Sequence, residues 1–269
     1  MLNHLSSGPI GVFDSGVGGL TVARAIRALL PHEDIVYFGD TLHLPYGEKS
    51  KEAIERYSNE ITSFLRSRGA KCVLIACNSA SANAQESLHL LFPDTIFINV
   101  IDPVIEKVKN DHCLHIGVIG TKATMRSEAY QKKLKNALPN AKITAKPTPL
   151  LAAMIEEGFT SGAVAQSVIN AYIENDEVIQ GDALILGCTH YPLIQKEIAR
   201  LLPENCTIVD TPKVVAEYLR DLLDAQQLNN PQTQKGSISF YLSDLTPSFE
   251  QQARLFFGEK VEISEIDIS

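Results

Sequence analysis

Long apolar runs are missing from this chain. No stretch approaches the roughly 20 residues that span a bilayer, so the sequence carries no mark of a membrane protein. Met1 to Pro9 lacks the basic start and apolar core of an export signal, and the expected location is the cytoplasm. Basic clusters are missing too. A formal net charge of −8 disfavours non-specific nucleic-acid binding, which uses dense Lys and Arg to displace counterions. The short run Lys132-Lys133-Leu134-Lys135 reads as one solvated helix face. There are five cysteines, an odd number with no Cys-x-x-Cys among them. That argues against a disulfide framework and against a thioredoxin-like redox motif. Gly16-Val17-Gly18-Gly19 satisfies neither G-x-G-x-x-G nor the P-loop pattern. It reads as a tight strand-to-helix turn that also permits close approach of a ligand.

What is present is the balance of a globular protein, 45% hydrophobic and 21% charged, in a chain long enough for two lobes. Short apolar runs alternate with amphipathic stretches. The strand candidates are Ile10–Phe13, Ile35–Phe38, Cys72–Ala76, Ile96–Val100, Ile116–Ile119, Ile143–Lys146, Ala183–Leu186 and Thr207–Val209. Helices are expected over Leu20–Leu30, Lys49–Ser67, Ala82–Leu91 and Ser127–Leu138. Such alternation predicts parallel sheets with helical crossovers. Continuous apolar runs such as Val73-Leu74-Ile75-Ala76 predict strands covered on both faces. The tail adds a strand candidate at Ile238–Leu242, a helix at Pro247–Phe257 and a strand candidate at Val261–Ile268.

The halves resemble each other. Ile10-Gly11-Val12 recurs as Ile116-Gly117-Val118, the strand ending at Cys77 recurs as the strand ending at Cys188, and Ile101-Asp102-Pro103 is echoed by Val209-Asp210-Thr211-Pro212. Three matches in one order at nearly one offset predict duplicated α/β units. The expected fold is therefore α/β, with two similar three-layer lobes of mostly parallel strands related by a pseudo-twofold. The active site is expected in the cleft between them. Residues 1–101 with 213–269 are expected to form the first lobe and 102–212 the second.

Ligands in open α/β sheets bind at the carboxyl ends of strands. The strand ends here carry Asp14-Ser15, Cys77-Asn78-Ser79, Thr121-Lys122-Ala123-Thr124 and Cys188-Thr189-His190. Each precedes a helix-like segment, and a set of helix N-termini suits a carboxylate ligand. Cys77 and Cys188 stand apart because they occupy equivalent places in the repeat. A helix N-terminus is expected to lower their pKa values and favour the thiolate. His190 is placed to assist Cys188 as a proton partner, and Asp14 to do the same for Cys77. Cys72, Cys113 and Cys206 lack such company and are assigned to packing or surface. Asp111-His112-Cys113-Leu114-His115 matches no zinc-ligand spacing, and no metal is expected.

Four motifs closely resemble the signatures of glutamate racemases. They are Phe13-Asp14-Ser15-Gly16-Val17-Gly18-Gly19-Leu20, Leu44-Pro45-Tyr46-Gly47, Ala76-Cys77-Asn78-Ser79-Ala80-Ser81-Ala82 and Gly187-Cys188-Thr189-His190-Tyr191-Pro192-Leu193-Ile194. Their order and spacing match from about Ile10 to Pro212. The chain departs from the family pattern at Ser79, where Thr is common, and at Thr211, where Ser is frequent. The hydroxyl survives at Ser79.

The resemblance implies a cofactor-independent isomerase acting on glutamate. Cys77 would take the α-proton from D-glutamate and Cys188 from L-glutamate, with Asp14 and His190 supporting the thiols. Asp14, Ser15, Pro45, Tyr46, Gly47, Asn78, Ser79, Thr121, Thr124, Thr189 and His190 would surround the substrate. Glu156, in Met154-Ile155-Glu156-Glu157-Gly158, matches a family carboxylate near the second half-site. The product would supply D-glutamate to peptidoglycan synthesis, and a homodimer is the expected assembly.

The chemistry fits such residues. Deprotonating the α-carbon of an amino acid leaves a carbanion beside a carboxylate. One solution is pyridoxal phosphate on a Lys Schiff base, for which no Lys is singled out here. The other is an acid on one face and a base on the opposite face, with hydrogen-bond donors stabilising the charge that develops. Three other readings stay open at this level: a racemase for aspartate or another acidic amino acid, a two-lobed amino-acid binding protein without catalysis, and a redox protein using the two thiols.

Overall fold

The computed structural model describes residues 6–245, 249–258 and 263–268. In chain order the strands are β1 (Ile10–Asp14), β2 (Ile35–Gly39), β3 (Cys72–Ile75), β4 (Phe97–Asn99), β5 (His115–Gly120), β6 (Lys142–Pro147), β7 (Ala183–Gly187), β8 (Thr207–Val209), β9 (Ile238–Leu242) and β10 (Ile263–Glu265). The first-half helices are α1 (Leu20–Leu29), α2 (Lys51–Ser67), α3 (Asn78–Asn83), α4 (Gln85–Leu91) and α5 (Asp102–Asn110). There follow α6 (Lys122–Ser127), α7 (Ala129–Ala137), α8 (Pro149–Glu156), α9 (Gly162–Ile173), α10 (Gln195–Ala199), α11 (Thr211–Ala225) and α12 (Phe249–Phe257).

The strands form two sheets, ordered β10-β9-β2-β1-β3-β4 and β6-β5-β7-β8. Every pairing in both is parallel. The order β2-β1-β3-β4 in the first sheet is the order β6-β5-β7-β8 in the second, so the sequence repeat is a structural one. Cys77 follows β3 and Cys188 follows β7, the corresponding strands of the two sheets. β9 and β10 extend the first sheet beyond β2.

Both sheets are covered on both faces, giving three layers each. Alternate residues of a strand point to opposite faces. In the first sheet Ile10, Val12, Cys72 and Leu74 pack with Leu20, Val22 and Ile26 of α1 and Val215 and Leu219 of α11. Phe13, Val73 and Ile75 pack on the other face with Ile54, Ile61 and Leu65 of α2. In the second sheet Ile116, Val118 and Ile185 meet Val104 and Val108 of α5 and Leu134 of α7. Ile119, Leu184 and Leu186 meet Leu151 and Ile155 of α8 and Ile169 of α9 on the opposite face.

Local signals explain most element ends. α2 carries its apolar residues at helical spacing, Ile54, Tyr57, Ile61 and Leu65, and Ser50 caps it by accepting from the Ala53 N–H. Asp210 caps α11 in the same way through the Lys213 N–H, with Pro212 in the first turn. Two expected helices divide. The stretch expected from Ala82 begins at Asn78 and breaks at Ala84 into α3 and α4. The stretch expected from Ser127 is preceded by α6 and restarts after Glu128, whose φ of 57° no α-helix accommodates. The tail helix expected from Pro247 and the strand expected from Val261 begin outside the described residues. Among the described residues, no helix is long and apolar enough to cross a membrane.

Candidate active site

The carboxyl ends of both sheets converge on one cavity of about 190 Å³. The first sheet contributes Ser15 after β1, the Leu44–Glu48 loop after β2, and Cys77, Asn78 and Ser79 after β3. The second contributes Thr121 and Lys122 after β5, Cys188, Thr189 and His190 after β7, and one face of α8 after β6. Of the residues singled out in the sequence, Cys77, Cys188, His190, Ser15, Pro45, Tyr46, Gly47, Asn78, Ser79, Thr121, Glu156 and Thr189 line the cavity. Asp14 and Thr124 lie behind its wall, both fully buried.

Cys77 is the N-cap residue of α3. Its thiol donates to Ser15 Oγ at 3.6 Å. The expected lowering of its pKa does not occur: burial, followed by the nearby Asp14 charge, pushes the thiol up to about 12, against hydrogen bonds from the Ala80 and Ser15 backbones and the Ser15 hydroxyl. A six-residue helix offers little dipole to oppose complete burial. Cys188 departs from the expected pattern differently. The segment after it is a 3-10 turn, Tyr191–Ile194, rather than an α-helix. Its thiol meets an imidazole instead, with His190 Nδ1 at 3.5 Å. His190 Nε2 in turn meets Glu156 Oε1 at 2.8 Å, completing a Cys-His-Glu chain. Burial opposes charge on His190, but the charges of Cys188 and then Glu156, with their hydrogen bonds, hold its pKa well above the ordinary histidine range.

Asp14 sits between the two thiols' surroundings. Its carboxylate accepts from the Gly16 N–H at 3.0 Å and from Thr189 Oγ1 at 3.4 Å. Burial raises its pKa despite the opposing influence of His190 and of the Gly19 and Gly16 amides. The glycine-rich turn has a specific use here. A Cβ on Gly18 would lie 2.5 Å from the His190 ring and from Thr189 Oγ1, and one on Gly19 would lie 2.6 Å from Asp14 Cβ. The turn thus approaches the Cys188-Thr189-His190 segment of the other sheet rather than a nucleotide.

On the Cys77 side, Ser79 Oγ and Thr121 Oγ1 share a hydrogen bond of 2.9 Å across the two sheets. Thr121 is anchored by Thr124 through its Oγ1 at 3.0 Å and its backbone N–H at 3.2 Å. Asn78 donates to the Tyr130 hydroxyl at 2.8 Å, while its Oδ1 is buried without a partner. Asn78 itself lines the cavity, and a buried acceptor without a partner is a ready site for an N–H or ammonium donor. Lys122 pairs with Glu48 at 3.2 Å across the mouth.

The lining residues not foreseen are Leu44, Glu48, Lys122, Pro149, Ala152 and Ala153. The last three precede Glu156 by seven, four and three positions on α8, one helical face, so helical spacing from Glu156 was the available signal. The run Asp111–His115 gathers no metal-ligating group: among the described residues there is no cluster of three or more His, Cys, Asp or Glu placed to hold an ion.

Comparison with known proteins places the chain in a family. The family model described as Asp/Glu/Hydantoin racemase matches residues 20–219. A glutamate racemase of Aquifex aeolicus is 42% identical over 254 residues, which cover 94% of this chain and 95% of that one. The crystal structure of a Francisella tularensis glutamate racemase in complex with D-glutamate superposes with a TM-score of 0.92 at 34% identity, covering 98% of each chain. A Thermus thermophilus glutamate racemase in complex with β-chloro-D-alanine gives 0.86 at 35% identity over 97% of each.

Proposed function

The chain belongs to the Asp/Glu/Hydantoin racemase family, and from that premise we propose that it interconverts L- and D-glutamate by moving a proton at Cα between Cys77 and Cys188. The observation that carries this reading is the convergence of two thiols, from corresponding strand ends of two like sheets, on one cavity.

Cys188 acts as base toward L-glutamate. His190, charged and held by Glu156, offsets negative charge at Cys188. The carbanion is then protonated by the Cys77 thiol, whose high pKa keeps it protonated until it is needed. In the reverse direction the Cys77 thiolate left by the forward reaction takes the α-proton of D-glutamate and the Cys188 thiol returns one to the opposite face, with the Asp14 charge close enough to influence Cys77. The pair titrates as a coupled unit with these neighbours. Hydroxyls of Ser15, Ser79, Thr121 and Thr189 supply donors for the substrate carboxylates, and the unpartnered Asn78 Oδ1 supports an acceptor role toward the ammonium. Pro45, Tyr46 and Gly47 form the cavity edge, with Thr124 holding Thr121. Proton transfer between two thiols calls for no electron sink and no metal. Residues 1–101 with 213–269 form one lobe in this reading and 102–212 the other, which the sorting of β1–β4, β9 and β10 from β5–β8 supports. The enzyme works in the cytoplasm as a homodimer, and its product feeds peptidoglycan synthesis.

The test is incubation of purified, metal-free protein with D- or L-glutamate in D2O without pyridoxal phosphate. Proton NMR follows loss of the α-proton and circular dichroism follows inversion. The wild type exchanges and inverts, and Cys77→Ser and Cys188→Ser each lose racemisation. Absence of exchange with glutamate and aspartate alike moves the non-catalytic binding protein to the front. Exchange that survives loss of both thiols leaves the reaction standing and removes these residues from it. A preference for aspartate in the side-by-side assay overturns the substrate.

A further inference from the structure

We infer that Asp40 is a positioning residue of the racemase site, setting the Pro45–Gly47 edge of the cavity through the Tyr46 hydroxyl and tying that edge to the carboxyl end of β9. This rests on the reading of the cavity given above.

Asp40 directly follows β2, and its own N–H donates to the Asp14 carbonyl at 3.0 Å, so its backbone is fixed to the strand that ends beside the thiols. Its carboxylate is almost wholly buried and lines no part of the cavity of the two thiols, facing a separate one beside His43, Tyr57 and Ser243. A buried carboxylate demands donors on its oxygens, and this one has three. Tyr46 Oη donates to Oδ2 at 2.5 Å, His43 Nδ1 to Oδ1 at 2.9 Å and Ser243 Oγ to Oδ1 at 2.8 Å. A carboxylate is acceptor-only, so Nδ1 of His43 carries its proton here, and the ring stacks on Tyr57 with centroids 3.9 Å apart.

Tyr46 is the link to the site. It lines the cavity yet is 1% exposed, and its hydroxyl is committed to Asp40. Burial and then the Asp40 charge hold the phenol well above its ordinary pKa, so it serves through its ring and backbone and not as a proton donor. Ser243 is the link to the tail. Its hydroxyl accepts from the Leu42 N–H at 3.0 Å, and Thr41 exchanges hydrogen bonds with the Asp244 backbone at 2.5 and 3.0 Å. The segment from Asp40 to Tyr46 is thereby fastened at one end to β9 and at the other to the cavity edge, with one carboxylate joining the two. β9 contributes nothing to the cavity lining itself; it reaches the site through its pairing with β2 and through the Asp40 carboxylate.

The experiment is steady-state kinetics on Asp40→Ala, Asp40→Asn, Tyr46→Phe and the Asp40→Ala/Tyr46→Phe double variant, beside thermal unfolding of each. Wild-type turnover of glutamate is the precondition, and its absence sinks the racemase reading rather than this one. With turnover present, Asp40→Ala raises KM about tenfold, as one orphaned buried hydroxyl displaces the edge, while kcat changes far less because the thiols are untouched. Asp40→Asn, which still offers an acceptor to Tyr46, recovers part of the loss. In the Tyr46→Phe background, removal of Asp40 adds little to KM. A lowered melting temperature with KM unchanged makes Asp40 a folding residue only and overturns the inference, as does a KM effect equal in both backgrounds. Should Asp40→Ala not fold, Asp40→Asn decides: an unchanged KM overturns the inference and a raised one supports it.

Discussion

Asp14 ends β1 as a fully buried carboxylate whose pKa is raised first by that burial. A group with a raised folded pKa favours folding in its protonated form. Its contribution is intact below the unfolded carboxylate range and is lost as pH rises through the folded value. At neutral pH the burial of the Asp14 carboxyl therefore opposes folding. Asp14→Asn keeps an acceptor for the Gly16 N–H and removes the charge. The variant melts higher than wild type at neutral pH, by roughly 2–4 °C for each kcal/mol gained in a chain of this size. The advantage shrinks toward acidic pH, and racemisation falls at least tenfold (about 1.4 kcal/mol or more of transition-state stabilisation). Calorimetry at two pH values and a racemisation assay check both. A variant that is destabilised at neutral pH and regains stability on acidification contradicts the sign.

At the scale of elements, what matters is how closely the glycine-rich turn before α1 approaches the turn after β7. Gly18 leaves no room for a side chain, since its Cβ would meet rigid ring and hydroxyl atoms of His190 and Thr189. Thr21 Oγ1 adds a hydrogen bond of 3.1 Å to the Thr189 carbonyl, holding the two turns together. Gly18→Ala forces one of them to move, destabilising the protein by about 1–3 kcal/mol and parting Cys188 from His190. With Cys188 as the proposed base toward L-glutamate, the expected signature is a larger fall in kcat with L-glutamate than with D-glutamate, offset in KM because the two kcat/KM values must stay equal for enantiomers. Equal, small falls in the two kcat values would mean that the turn is not holding the Cys188 side.

At the scale of the whole molecule, segments far apart along the chain meet at one buried ion pair. Lys71 Nζ, fully buried, pairs with Glu33 at 2.5 Å and donates to the carbonyls of Ser6 at 3.0 Å and Leu228 at 2.7 Å. Glu33 also accepts from the Asn230 N–H at 2.8 Å. This pair joins the N-terminal segment, the start of β3 and the link between α11 and β9. Lys71→Met leaves an uncompensated buried carboxylate and destabilises by about 3–5 kcal/mol. Removing both charges, as Lys71→Met with Glu33→Gln, restores part of that loss. Urea unfolding of the two variants distinguishes the cases, and a silent single substitution would show that the pair does not hold these segments together.

The chain's own residues determined the fold class, the repeat, and the strand ends from which the site is built, because each is read along the chain, from local patterns or from their recurrence in its second half. Apolar runs such as Val73–Ala76 mark buried parallel strands, and the amphipathic stretch from Lys49 marks the helix that Ser50 caps. Cys77, Cys188 and the polar residues beside them stood out for the same reason. Asp14 and His190 were expected beside the two thiols; tertiary structure alone decided the burial of each thiol and the further partners. The expected helix dipole at Cys77 is outweighed by burial and by Asp14, which lies 63 positions earlier in the chain. The partner of His190 is a carboxylate on a different helix, and Asp40, which no local pattern marked, joins the cavity edge to a strand two hundred residues away. Desolvation and long-range hydrogen bonds depend on which segments the fold brings together, and no spacing along the chain encodes them.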